Sequence, residues 1–131
     1  MIVLDTHAWL WWISNPEQLP ETARDIIEGA ALEKKIFISS ISAWEVALLV
    51  SRGRLQFRMS ANDWVAASES LSCLNFVPVS NSIAVKATQL PGNLHNDPAD
   101  RIIIATTLSI GAVLVTKDEK IRNYLHVKTV W

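Results

Sequence analysis

The chain has 131 residues, half of them apolar and 19% charged, with a formal net charge of −1. This composition predicts one globular domain with a core of its own and excludes a disordered chain. The balanced charge does not suggest loose, charge-driven nucleic-acid binding, and it leaves room for a nucleic acid held through metal ions.

"MIVLD" opens with Ile2-Val3-Leu4, a short buried strand that stops on a carboxylate, Asp5. Thr6 to Ile13 predicts a helix ended by Asn15-Pro16. "PETARDIIEGAALEKK" predicts a second helix, with Pro20 at its first position and Ile26, Ile27 and Ala30 on one stripe. "IFIS" (36–39) is a second buried strand. "SAWEVALLVSRG" is helical with Gly53 as its stop, and "SANDWVAASESLSCL" starts with Ser60 and Asp63 at capping-box spacing. Cys73, the only cysteine, leaves no intrachain disulfide or cysteine-rich zinc site and fits a reducing cytoplasm.

"FVPV" (76–79) predicts a third strand, weakened by Pro78, and "NSIAVKATQL" a helix closed by Pro91-Gly92. "DPADRIIIATTLSIG" has Asp97 at the N-cap, Pro98 at the first helical position and Gly111 past the end. The uncharged run Ile102–Thr116 is too short for a membrane span of roughly 18 or more residues. "AVLVT" is a fourth strand, "DEKIRNYL" a short helix and "VKTVW" a terminal strand. Buried strands alternating with helices predict an α/β fold with a mainly parallel sheet flanked by helices. Such sheets bind ligands beyond the carboxyl ends of their strands.

The acids fall where that crevice should be. Asp5 ends the first strand, and Asp118 follows the fourth. Glu45 lies a turn into the helix after the second strand, and Asp97 and Asp100 share the first turn of another helix. Each has a plainer reading. Asp97 and Asp118 serve as caps, Asp100 as a partner of the helix dipole, and Glu45 as a solvated surface acid. Asp5 resists such a reading, because a carboxylate on a buried strand is costly unless paired or metal-bound. Gathered in one pocket, these acids would repel unless a cation neutralised them. An all-oxygen set suits Mg²⁺ or Mn²⁺ rather than structural zinc, and such ions support phosphodiester cleavage.

"IVLDTHAWLWW", "ISSISAWEVALL", "DPADRIIIATTL" and "LVTKDEKI", in this order and spacing, resemble the PIN-domain nucleases, specifically the VapC-type toxins of bacterial toxin–antitoxin pairs. The resemblance covers essentially the whole chain and implies one PIN domain over residues 1–131. It places the family's acidic quartet on Asp5, Glu45, Asp100 and Asp118. Thr6 and Thr116 match its supporting hydroxyls, and Asp97 matches an auxiliary position of the third motif. It implies a divalent-metal-dependent endoribonuclease, a cognate antitoxin as partner, a homodimer and a cytoplasmic location.

Other residues are less settled. His7 and His95 look catalytic, yet a metal mechanism needs no imidazole base. Arg52, Arg54 and Arg58 surround an aromatic and read either as a solvated helix end or as contacts to an RNA backbone. Arg101 pairs with an acid or meets RNA. Trp9 and Trp12 share a helix face, which points Trp11 elsewhere, towards an antitoxin. A catalytically silent module of the same fold is the alternative to the nuclease. An aspartyl-phosphate phosphatase is weaker, since that chemistry wants an acid two residues after the nucleophile and His7 stands there.

Overall fold

The computed structural model describes residues 1–131. Five strands form one sheet: β1 (Ile2–Leu4), β2 (Ile36–Ser39), β3 (Leu74–Val77), β4 (Val113–Val115) and β5 (Thr129–Val130). All neighbours are parallel, in the order β3-β2-β1-β4-β5. The chain winds outward from β1 in one direction and then returns to lay β4 on its other side. The β1/β4 junction is therefore the switch point, where loops diverge and leave a crevice.

Seven helices cover the sheet: α1 (Thr6–Ser14), α2 (Glu21–Leu32), α3 (Ser40–Ser51), α4 (Ala61–Glu69), α5 (Asn81–Thr88), α6 (Pro98–Ile110) and α7 (Glu119–Arg122). The period-2 alternation of strands assigns side chains to two cores. Ile2, Leu4, Ile36, Ile38 and Val115 face one core, with Trp9, Ile27, Val46 and Trp64 from α1 to α4. Val3 and Leu114 face the other, with Ile83, Ile103, Ile104 and Ile121 from α5 to α7. Buried on both faces, these strands need the continuous apolar runs the sequence carries.

The tryptophans explain the crowded start of the chain. Trp9 is fully buried, with its ring 4.7 Å from Trp64 and 5.4 Å from Phe76. Its indole N–H donates to Ser68 Oγ at 3.2 Å, and that of Trp64 donates to Ser14 Oγ at 3.3 Å. Each buried polar handle thus has a partner. Trp12 is only half-buried, so the helix face it shares with Trp9 rises from core to rim.

Several boundaries differ from those the sequence predicts. Pro20 is the N-cap of α2 rather than its first helical residue. α4 stops at Glu69 and β3 begins at Leu74, earlier than the expected "FVPV". Pro78 lies just outside β3, where its missing N–H breaks no ladder bond. A 3₁₀ turn at Pro16–Gln18 was not expected, and β5 keeps only two residues of "VKTVW". No helix is long and apolar enough to cross a membrane.

Candidate active site

A cleft of about 890 Å³ opens at the carboxyl ends of the central strands. Asp5, Glu45, Asp97, Asp100 and Asp118 all line it, so five separate sequence positions converge. Asp5 ends β1 and caps α1, its Oδ1 accepting the Ala8 N–H at 2.8 Å. Its other oxygen accepts the Thr116 hydroxyl at 2.5 Å. Thr116 Oγ1 in turn accepts the Asp118 N–H at 3.1 Å, tying the ends of β1 and β4 together. Asp118 caps α7, with Oδ1 accepting from Lys120 N at 2.8 Å and Ile121 N at 3.2 Å.

Glu45 reaches the cleft from the second turn of α3. Thr6 donates to Glu45 Oε1 at 2.5 Å, and Thr6 Oγ1 lies 2.9 Å from the buried Ser42 hydroxyl. An ionised Glu45 only accepts, so the Thr6 proton goes to it and Ser42 supplies a proton to Thr6. Ser42 went unnoticed in the sequence. Its place three residues before Glu45 on one helix face was the available signal.

α6 contributes the remaining acids. Asp97 caps it, accepting the Asp100 N–H at 2.9 Å, and Asp100 Oδ2 lies 2.7 Å from His95 Nε2. His95 is thus attached to the site, a role the sequence left open. The other ring nitrogen, Nδ1, is buried and has no partner. His7 lines the cleft without a comparable bond.

Burial raises the carboxyl pKa of Asp5, and the nearby Asp100 adds to it. The bonds from Thr116 and Ala8 and the nearby His7 oppose it. Burial also raises Glu45, opposed by the Thr6 bond and His7 and reinforced by Asp100 and Asp97. Asp100 is raised by burial and by Asp97 and Asp118, against the hydrogen bond and charge of His95. Buried carboxyls raising one another are the electrostatic condition that a cation relieves. No three of the acidic or histidine groups stand close enough to enclose an ion in this arrangement. Each is engaged instead by a hydroxyl, an imidazole or a backbone N–H. The donor set nevertheless fits a hard divalent cation, since every acid offers oxygen and no thiol is near.

The basic and aromatic candidates divide. Arg101 pairs with no acid: Nε donates to Ala87 O at 2.9 Å, and Nη1 to Leu94 O at 3.2 Å and His95 O at 3.4 Å. Its guanidinium holds the loop that presents His95, so of the two readings open to it the pairing with an acid is corrected. Arg54 and Arg58 line a second groove, whereas Arg52 sits at the end of α3 outside it. Trp11 does turn away from Trp9, but onto the cleft wall. Its ring lies 5.7 Å from Trp131, with Lys117 Nζ 5.5 Å from its centroid. Lys117 and Lys120 also line the cleft, and sequence reasoning assigned them no role.

Residues 2–125 match the PIN domain family. The chain is 33% identical over 132 residues to Ribonuclease VapC22 of Mycobacterium tuberculosis, covering 99% of this chain and 98% of that one. The fold is similar to FitAcB from Neisseria gonorrhoeae, with a TM-score of 0.72 at 21% identity over 100% of this chain and 97% of that one. It is also similar to VapBC2 from Rickettsia felis bound to a promoter DNA fragment, at 0.67 and 20% over 99% and 98% of the two chains.

Proposed function

Because the chain belongs to the PIN-domain family, we propose that it is a metal-dependent endoribonuclease acting as the toxin of a toxin–antitoxin pair. The observation that carries this reading is the convergence of Asp5, Glu45, Asp97, Asp100 and Asp118 on one cleft at the β1/β4 switch point. Asp5, Glu45, Asp100 and Asp118 would hold Mg²⁺ or Mn²⁺, with Asp97 as an auxiliary. When bound, such an ion would offset phosphate charge and make a water a better nucleophile.

The chain's own residues prepare that chemistry. Thr116 and the α1 N-terminus fix both oxygens of Asp5. Thr6, backed by Ser42, aims Glu45, and His95 fixes one oxygen of Asp100. Carboxylates held in place lose little freedom when an ion or substrate arrives. Hydrolysis requires the attacking water to release a proton, and a cleft carboxylate oxygen not engaged by the ion would accept it. The products are two RNA fragments, one taking the new phosphate oxygen and the other leaving as an alcohol.

A cognate antitoxin is the proposed protein partner, a homodimer the proposed assembly and the cytoplasm the proposed location. Trp11, on the cleft wall, is the aromatic an occluding antitoxin would meet. The test is incubation of the purified chain with mixed RNAs, with and without Mg²⁺ or Mn²⁺. Cation-dependent cleavage that disappears in Asp5→Asn supports the nuclease. RNA left intact by well-folded wild type with either ion would favour a catalytically silent module.

A further inference from the structure

A groove of about 690 Å³ runs between α1 and the loop joining α3 to α4. It shares His7 and Trp11 with the carboxylate cleft, so the two spaces lie side by side with those two side chains between them. Their charges are opposite in kind. The cleft sets six acids against Lys117 and Lys120, while the groove carries Arg54 and Arg58 and no acid at all. Neither guanidinium enters an ion pair; the chain's two such pairs lie elsewhere, at Lys35–Glu33 and His95–Asp100. The groove also offers aromatic surface. Phe57 lies parallel to Trp64, with ring centroids 4.6 Å apart and an interplanar angle of 4°.

We propose that this groove is an RNA subsite, where Arg54 and Arg58 take backbone phosphates and the Trp11–Phe57 wall takes an unpaired base beside the bond being cut. The inference rests on the nuclease reading of the cleft. A polyanion cannot be drawn in by the acids themselves, so its flank needs cations close at hand. Two guanidiniums without ion pairs in a groove adjoining the cleft meet that need, and their planar forks suit phosphate. Arginines interleaved with apolar and aromatic side chains suit single strands, whose bases are free to stack. A duplex keeps its bases paired and would gain only the phosphate contacts.

The experiment measures binding of a short, dye-labelled single-stranded RNA across a salt series by fluorescence anisotropy. It uses Asp5→Asn as the parent, so that the probe survives, and adds Arg54→Ala and Arg58→Ala together. Both arginines are exposed, so the added changes should leave the melting temperature unaltered. Losing two single-strand phosphate contacts should lower the slope of log K against log salt by about 1.4, twice roughly 0.7 per contact. The parent should also prefer the single strand to a duplex of the same sequence. Unchanged affinity and slope overturn the proposal. Unchanged RNA binding with lost co-purification of a co-expressed antitoxin overturns it too, making the groove a protein site. Arginine-dependent binding by a wild-type chain that never cleaves supports the subsite and overturns only the nuclease reading.

Discussion

Asp5 performs two tasks with one carboxylate. One oxygen caps α1, and the other joins β1 to the end of β4 through Thr116. Burial in this place disfavours its charge. Asp5→Asn keeps the shape and one accepting oxygen while removing that charge. The variant should lose cleavage yet melt, in chelator, at or above the temperature of wild type. A folded Asp5→Asn that still cleaves would falsify the assignment. The same burial sets a pH dependence. Asp5, Glu45 and Asp100 all have folded pKa values above their ordinary ones, so the fold binds protons more readily than the unfolded chain. Their contribution to stability is full below the ordinary carboxylate pKa of about 4 and is lost as pH rises through the raised values. In chelator, the melting temperature should therefore climb as pH falls from neutrality towards that range. A steady decline over this interval, measured by circular dichroism, would contradict it.

α6 shows how an element can be legible while one of its residues stays ambiguous. Asp97 before Pro98, and Gly111 in the left-handed region at φ 67°, mark both ends as the sequence predicts. Yet Asp97 both caps the helix and lines the cleft, and its identity alone cannot separate the two roles. Substitution can. Asp97→Ala should cost about 1 kcal/mol through the lost cap, whereas Asp97→Ser keeps a capping oxygen and should hold stability. If the carboxylate also serves the ion, both variants should weaken Mg²⁺ or Mn²⁺ binding equally, as read by calorimetry. Ion affinity unchanged in both would leave Asp97 a cap alone. Capped helices such as α4 and α6 were read well at their starts, because Ser60 and Asp97 are local signals. The end of α4 and the start of β3 were not, because no glycine or proline separates Glu69 from Leu74 and only sheet pairing decides. His95 was undecided for a similar reason. Its bond to Asp100 depends on a loop braced by Arg101, and that brace is a tertiary contact.

At the scale of the whole molecule, the order of strands creates the site. The sequence places acids after individual strands but does not say which strands are neighbours. Only the β3-β2-β1-β4-β5 order brings Asp5 beside Thr116 and Asp118 and opens a crevice between them. Asp5 follows β1, Asp100 lies in α6 and Asp118 follows β4, so an ion shared among them would bridge segments that separate on unfolding. Such an ion would bind the folded chain far better than the unfolded one and would stabilise it by mass action. At a free concentration of 100 times Kd, the gain is about 2.7 kcal/mol, which for a chain of this size raises Tm by several degrees. Asp100→Asn and Asp118→Asn should each lose most of that shift while retaining the metal-free melting temperature within a few degrees. The control is the wild-type chain in chelator, which separates ion binding from any effect of the substitution on the fold. Equal ion-induced shifts in wild type and both variants would mean the ion binds away from the cleft, and the acids would then need another explanation.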